Sequence, residues 1–175
     1  MRKLLIGCAL GALIVVLSAC GGSSSSPAAE DAQQRESDLY AISQIESGFH
    51  EAISKKDIDE LVSLFAPNAT GTFGPGKTVA GREQIRQVWL NSVGWKPETH
   101  WLSDHPAYKL KSTVDGDRGT LHFECHFIDV ETGKVAALTA GNLDVARIDG
   151  RWLITDVRYG DGDTGSLRDL LASAL

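Results

Sequence analysis

At 175 residues, with 42% hydrophobic and 23% charged side chains, the chain has room for one domain with its own core. Its formal net charge of -6 is the wrong sign for displacing counterions from nucleic-acid phosphates, which excludes nucleic acid as a partner class. The acidity bears on solubility and says nothing about fold.

The first twenty residues divide into a basic start (Arg2, Lys3), an apolar run from Leu4 to Leu17 and a small-residue exit, Ser18-Ala19-Cys20. That is the anatomy of a secretory signal, and the run is shorter than the ~20 residues a spanning helix needs. Leu17-Ser18-Ala19-Cys20 resembles the bacterial lipobox. The resemblance implies a diacylglycerol on the Cys20 sulfur, cleavage just before it, and a domain held at the cell-envelope membrane by lipid. Plain secretion after Ala19 and an uncleaved anchor are the alternatives. Gly21 implies, by the same likeness, the periplasmic face of the outer membrane in a two-membrane host, and the outer face of the cell membrane otherwise. Cys8 leaves with the signal and Cys20 is acylated, so Cys125 stands alone in the exported part and no disulfide can form there. Cys125 reads as a small buried hydrophobe.

Gly21 to Gln34 is rich in Gly and Ser and reads as a flexible tether with a span on the order of 20 Å. From Ser37 to Lys55, apolar residues at Leu39, Ile42, Ile45, Phe49, Ala52 and Ile53 predict an amphipathic helix, with Gln44, Glu46, Glu51 and Lys55 on its polar face. Asp57 and Glu60 have capping-box spacing for a second helix, buried through Ile58, Leu61, Val62, Leu64 and Phe65 and closed by Pro67. Asn68 to Phe73 reads as a short strand, Gly74 to Gly76 as a turn, and Gly81 to about Val93 as a third helix with Ile85, Val88 and Trp89 inward.

After Pro97 the period changes to two. Turn signals at Asp115-Gly116-Asp117, Glu131-Thr132-Gly133 and Asp149-Gly150 predict strands near Ala107 to Val114, Gly119 to Val130, Lys134 to Ile148 and Arg151 to Tyr159. Turns this short make an antiparallel meander. The third of these strands is long enough to bend, with Gly141 as the expected bulge or kink. Helices followed by long strands predict an α+β fold.

Four stretches together resemble the SnoaL-like (polyketide-cyclase-like) branch of the nuclear-transport-factor-two-like superfamily: FHEAISKKDIDELVSLFAPNAT, VAGREQIRQVW, VDGDRG and IDGRWLITDV. The likeness covers about Asp38 to Tyr159. It implies a cone-shaped roll, three N-terminal helices packed on a strongly curved antiparallel sheet around a pocket open at one end. The chain then divides into a signal peptide (1–19), a tether (20–36), the α+β domain (37–162) and a C-terminal amphipathic helix (163–175) carried by Leu167, Leu170, Leu171 and Ala174. In dehydratase-like members the first helix brings a tyrosine and, five residues on, an aspartate into the pocket. Aligned on Asp57, those positions hold Phe49 and Ser54, which removes both the phenol and the carboxylate. His100 matches a histidine recurrent in the branch.

His100 is the candidate general base, with Asp104, Asp144 or Asp156 as a possible carboxylate partner; Asp104 lies four residues on. Phe49, Trp89, His100, Cys125 and Asp156 are the candidate pocket residues. Trp152 and Ile154 share a face and read as core, and Asp156 and Arg158 continue that parity toward the rim, with a surface ion pair as the competing reading. In LHFECHF the aromatic side must be the core, which sends His122, Glu124 and His126 outward. As a metal site the triplet fails on length, since residues four apart on a strand are separated by roughly 13 Å. The loop GDGDTG begins like a calcium loop, but the twelfth position from Asp161 is Ala172, where a bidentate Glu is required. No metal and no cofactor is expected. The expected function is binding of a small, mostly apolar organic molecule without catalysis. An isomerase, cyclase or dehydratase using His100 is the alternative, and a homodimer or envelope-assembly contact through the outer sheet face is a third reading.

Overall fold

The computed structural model describes residues 26–73, 77–103 and 109–159. Helix α1 spans Pro27–Lys55. Ser26 caps it, its hydroxyl accepting the Ala29 N–H at 3.3 Å, and Pro27 sits in the first turn, where a missing N–H costs nothing. The segment expected as a tether is therefore helical from Pro27 onward. Its Ala, Glu, Gln and Arg residues favour helix, and the Gly/Ser-rich composition ends before them. Pro27 to Ser37 stay exposed and burial begins at Asp38. Lys56, at φ 57°, ends the helix in the left-handed conformation.

Helix α2 (Ile58–Ser63) starts as expected from Asp57, whose carboxylate accepts the Glu60 N–H at 2.9 Å. Pro67 does not close it: the cap is Leu64, and Pro67 lies inside strand β1 (Phe65–Phe73). Strand β2 (Thr78–Ala80), helix α3 (Arg82–Leu90), a 3-10 turn at Val93–Trp95 and strand β3 (Trp101–Ser103) follow. The meander is β4 (Lys109–Asp115), β5 (Arg118–Asp129), β6 (Val135–Ile148) and β7 (Arg151–Tyr159). Between β6 and β7, Asp149 and Gly150 both take positive φ (50° and 77°), the backbone of a primed hairpin turn.

The sheet runs β2-β1-β7-β6-β5-β3, with β4 sharing the outer edge of β5. It is mixed and not purely antiparallel, because β1 lies parallel to β7. That pairing joins the two ends of the fold, and local turn signals carry no information about it. The signal segment with Cys20, the turn at 74–76, Asp104, the GDGDTG loop and the tail-helix expectation all lie outside the described residues.

Two irregularities set which side chains enter the core. On β7 the register steps from Asp156 opposite Asp144 to Ile154 opposite Val145, so Thr155 is an extra residue. Ile154 and Val157 are consequently both fully buried although their spacing is odd. Asp156 and Arg158 turn to the opposite face, which removes Asp156 from the pocket. There Arg158 donates to Asp144 at 3.1 Å and also to Asp156, which in turn accepts from Thr70. The expected bulge at Gly141 is absent, and Gly141 stays in register with both Phe123 and Tyr159. A Cβ at Gly141 would lie 2.7 Å from the Phe123 ring, so the glycine makes room for an aromatic side chain.

The core lies between the helices and the inner sheet face, with Ile42, Phe49, Leu61, Phe65, Ile85, Phe123, Phe127, Leu143 and Ile154 each no more than 2% exposed. One buried charge ties α1 to the last hairpin. Asp38 accepts from Arg147 at 2.5 Å, from the Trp152 indole N–H at 3.2 Å and from Gln34 at 3.1 Å. Arg147 also stacks over the Trp152 ring, 5.0 Å from its centroid. Burial pushes the Asp38 carboxyl up, but the three hydrogen bonds and the Arg147 charge outweigh it and hold the group below its ordinary value. The stability it contributes is present above the unfolded-state value and is lost as pH falls through the folded one. Asp38→Ala should cost about 2 kcal/mol in urea unfolding at pH 7, since it leaves the Trp152 indole N–H without its acceptor and the Arg147 guanidinium with Asp117 alone. A loss within ~0.5 kcal/mol would mean the contact carries no weight.

Candidate functional site

Helix α1 presents more to the interior than its apolar stripe. Glu46 and His50, one helical turn apart, flank Phe49, and the three are 2%, 0% and 0% exposed. Glu46 was expected on the polar face; the buried arc is wide enough to take it in. Its Oε1 lies 3.4 Å from His50 Nε2, without a hydrogen bond in line. Across the core, Cys125 Sγ lies 3.1 Å from His50 Nε2 and 2.8 Å from Thr139 Oγ1. The result is a continuous buried polar row from α1 through β5 to β6: Glu46, His50, Cys125, Thr139.

Burial governs the protonation of this row. The Glu46 carboxyl is pushed up to about 7 by desolvation, against a lowering hydrogen bond with Ser47. Burial likewise pushes the Cys125 thiol up to about 12, with the Glu46 charge adding to it and hydrogen bonds to Thr139 and Ser103 opposing. Cys125 is thus a protonated, unreactive thiol near neutral pH. Desolvation and the neighbouring Cys125 also raise the Tyr159 phenol, which stays neutral as a hydrogen-bonding group.

The row ends at Thr139, beside Tyr159 on β7. Thr139 and Tyr159 line a cleft of about 270 Å³ whose other walls include Ile53, Trp101, Phe127 and Leu138. The Trp101 and Phe127 rings lie 6.2 Å apart at an interplanar angle of 34°, and Trp89 meets Tyr159 edge-on at 5.2 Å. None of the described residues lining the cleft is charged.

The expected site residues separate into four groups. Phe49, Trp89 and Cys125 are in the interior, with Trp89 at the cleft wall and Phe49 and Cys125 deeper. Ser54 has a structural task, its hydroxyl accepting the Ser103 N–H at 2.8 Å and holding β3 to α1. His100 stays outside: its side chain is 52% exposed and faces Glu131 at 3.9 Å. Its backbone carbonyl instead accepts the Val130 N–H, which sets the strand end. Asp144 and Asp156 belong to the ion-pair cluster on the far sheet face.

That far face holds a second correction. The triplet was expected on the outer surface, but His122 and His126 are half-buried and Glu124 between them is wholly buried. Its Oε1 accepts from Lys109 Nζ at 2.7 Å and meets His122 Nε2 at 3.1 Å, while His122 Nδ1 meets Asn142 at 2.9 Å. Strand β4 places Lys109 directly opposite Glu124, and this cross-strand pairing is what satisfies the carboxylate. His50 was missed by sequence reading. Its signal was available in the Glu-x-x-x-His spacing beside the apolar stripe, which puts both residues one turn apart on the inward arc.

A family model described as a SnoaL-like domain matches residues 34–158. Among curated protein sequences, none matches this chain. Solved structures share the fold at low identity. An NTF2-like protein of unknown function from Pseudomonas putida is 12% identical with a TM-score of 0.62, covering 71% of this chain and 86% of that one. An NTF2-like protein with a cystatin-like fold from Novosphingobium aromaticivorans is 14% identical, with a TM-score of 0.63 over 83% of this chain and 97% of that one. A Streptomyces avermitilis member of the NTF2-like family, provisionally described as a dehydratase, is 14% identical with a TM-score of 0.57 over 71% and 95%.

Proposed function

The chain belongs to the SnoaL-like family and has the cone-shaped NTF2-like fold, and from that premise we propose that it binds a small, largely apolar organic molecule in its cleft without catalysing a reaction. The observation that carries this reading is the cleft itself, about 270 Å³, walled by aromatic and aliphatic side chains and free of charge among its described residues. The buried acid–base pair, Glu46 and His50, does not line the cleft, and the ionisable group in its described lining, the Tyr159 phenol, is held neutral by burial. Lipid on Cys20 would keep the domain at the envelope membrane. Replacing Cys20 with Ser should then release the protein from the membrane fraction, and retention without lipid labelling would remove this part of the proposal.

Native mass spectrometry of protein extracted without denaturant tests the binding reading. A retained mass is expected in the wild type and should be lost in Ala137→Phe, which fills the cleft from β6. An unliganded wild type that also gains no thermal stability from small aromatic probes would count against it.

A second reading is favoured by one observation, a carboxyl pushed up to about 7 and lying 3.4 Å from a histidine. Such a pair is poised for proton transfer near neutral pH, as an isomerase or dehydratase needs. It requires the core between His50 and the cleft to open. If a substrate is found, Glu46→Gln abolishing turnover while binding persists would favour this reading over the first.

A further inference from the structure

Two hydrogen-bond donors beside the cleft have no partner among the described residues. They are the indole Nε1 of Trp89, a residue only 6% exposed, and the hydroxyl of Ser92. Both residues line the cleft, and both sit at the C-terminal end of α3, where the Ser92 N–H donates to the Trp89 carbonyl at 2.9 Å. The Trp152 indole, by contrast, is satisfied by Asp38 at 3.2 Å. An unpaired buried donor costs about 1–3 kcal/mol, so two of them three residues apart on one wall call for an acceptor.

We propose that Trp89 and Ser92 form the polar subsite of the cleft and that its ligand is a small aromatic molecule carrying a single neutral acceptor oxygen, such as a ketone. This rests on the reading of the cleft as a binding site and adds the chemistry it selects. The acceptor is neutral because, among the described residues, no cationic side chain lines the cleft to balance a carboxylate or phosphate, and desolvating an uncompensated anion there is prohibitive. The aromatic body follows from the rings of Trp89, Trp101, Phe127 and Tyr159, which offer faces and edges to a flat ligand. The Ser92 hydroxyl turns about one bond to meet an oxygen, and the Trp89 N–H fixes the direction from which it is approached. The donor pair therefore selects among apolar molecules that the walls alone would accept equally.

A matched pair of probes tests this on the full chain labelled with nitrogen-15: acetophenone, and α-methylstyrene, in which a methylene replaces the carbonyl oxygen. The ketone should bind about tenfold more tightly, the equivalent of one well-formed hydrogen bond. It alone should move the Trp89 indole N–H resonance downfield. Ser92→Ala should cut the ketone-to-hydrocarbon ratio by roughly threefold, and Trp89→Phe should bring it near one. Equal affinities with the Trp89 resonance unmoved would overturn the donor subsite while leaving the cleft a binding site. Failure of both probes to bind would overturn the binding reading, and the subsite with it.

Discussion

Phe49→Ala should destabilise the domain by about 3–5 kcal/mol, the range for removing a fully buried aromatic ring whose surroundings cannot collapse. The ring is 0% exposed and lies within 5.3–6.4 Å, centroid to centroid, of Trp89, His50, Phe123, Tyr159 and Phe65. These neighbours come from α1, α3, β1, β5 and β7, so one deletion loosens nearly every layer. Their own packing prevents any of them from filling the void. A domain of this size has only about 5–15 kcal/mol to lose, and the variant should show a much lower urea midpoint, with the cleft wall at Trp89 and Tyr159 disturbed. A loss below ~1 kcal/mol would show that the interior is not packed around this position. The same surroundings disfavour a tyrosine at this position. A hydroxyl there needs a buried partner, and Phe49 is enclosed mainly by other rings.

The second large effect is a pH dependence centred on Glu46. Its folded-state value is raised to about 7 from an ordinary 4.5, so the native state binds the proton more tightly than the unfolded chain does. Stability contributed by the protonated form is complete below the unfolded value, and it falls as pH rises from about 4.5 through about 7. The loss across that window is on the order of 3 kcal/mol. The titratable groups facing Glu46 are His50 on its own helix and Cys125 on β5, and the thiol stays protonated throughout this range. In Glu46→Gln the Glu46-dependent fall should vanish, leaving the variant more stable than the wild type at pH 8 and close to it at pH 5. Urea midpoints for both proteins at the two pH values measure this. Parallel pH profiles would remove Glu46 as the source.

Much of the site lay within reach of local reasoning, and the parts that did not share a cause. Cys125 and Phe123 were placed inward by strict alternation along β5, where no register shift intervenes until Phe127. Alternation left Asp156 between the pocket rim and a surface ion pair, and the extra residue Thr155 on β7 turns it to the ion pair with Arg158. A bulge is stabilised by the partner strand, and nothing in the string Ile154-Thr155-Asp156 marks it. His100 was nominated by resemblance, yet the chain ahead of β3 leaves its side chain in solvent. Glu46 fell to the polar side because charged residues are rarely buried; the width of the sheet that α1 faces decided otherwise.

What the sequence determined by itself was local: the Asp149-Gly150 turn, the Asp57 cap, the spans of the long strands and the helical stripe of α1. Each depends on backbone preferences within a few residues. The tertiary structure alone decided the parallel pairing of β1 with β7, the reversal of parity at Thr155, the burial of Glu124 against Lys109, and the meeting of Glu46 and His50 with Cys125. It also left Trp89 and Ser92 with donors unpaired beside one cleft. These features depend on partners far apart in the chain, and a side chain's burial and hydrogen bonding are set by what lies across the core, which spacing along one strand or helix does not encode.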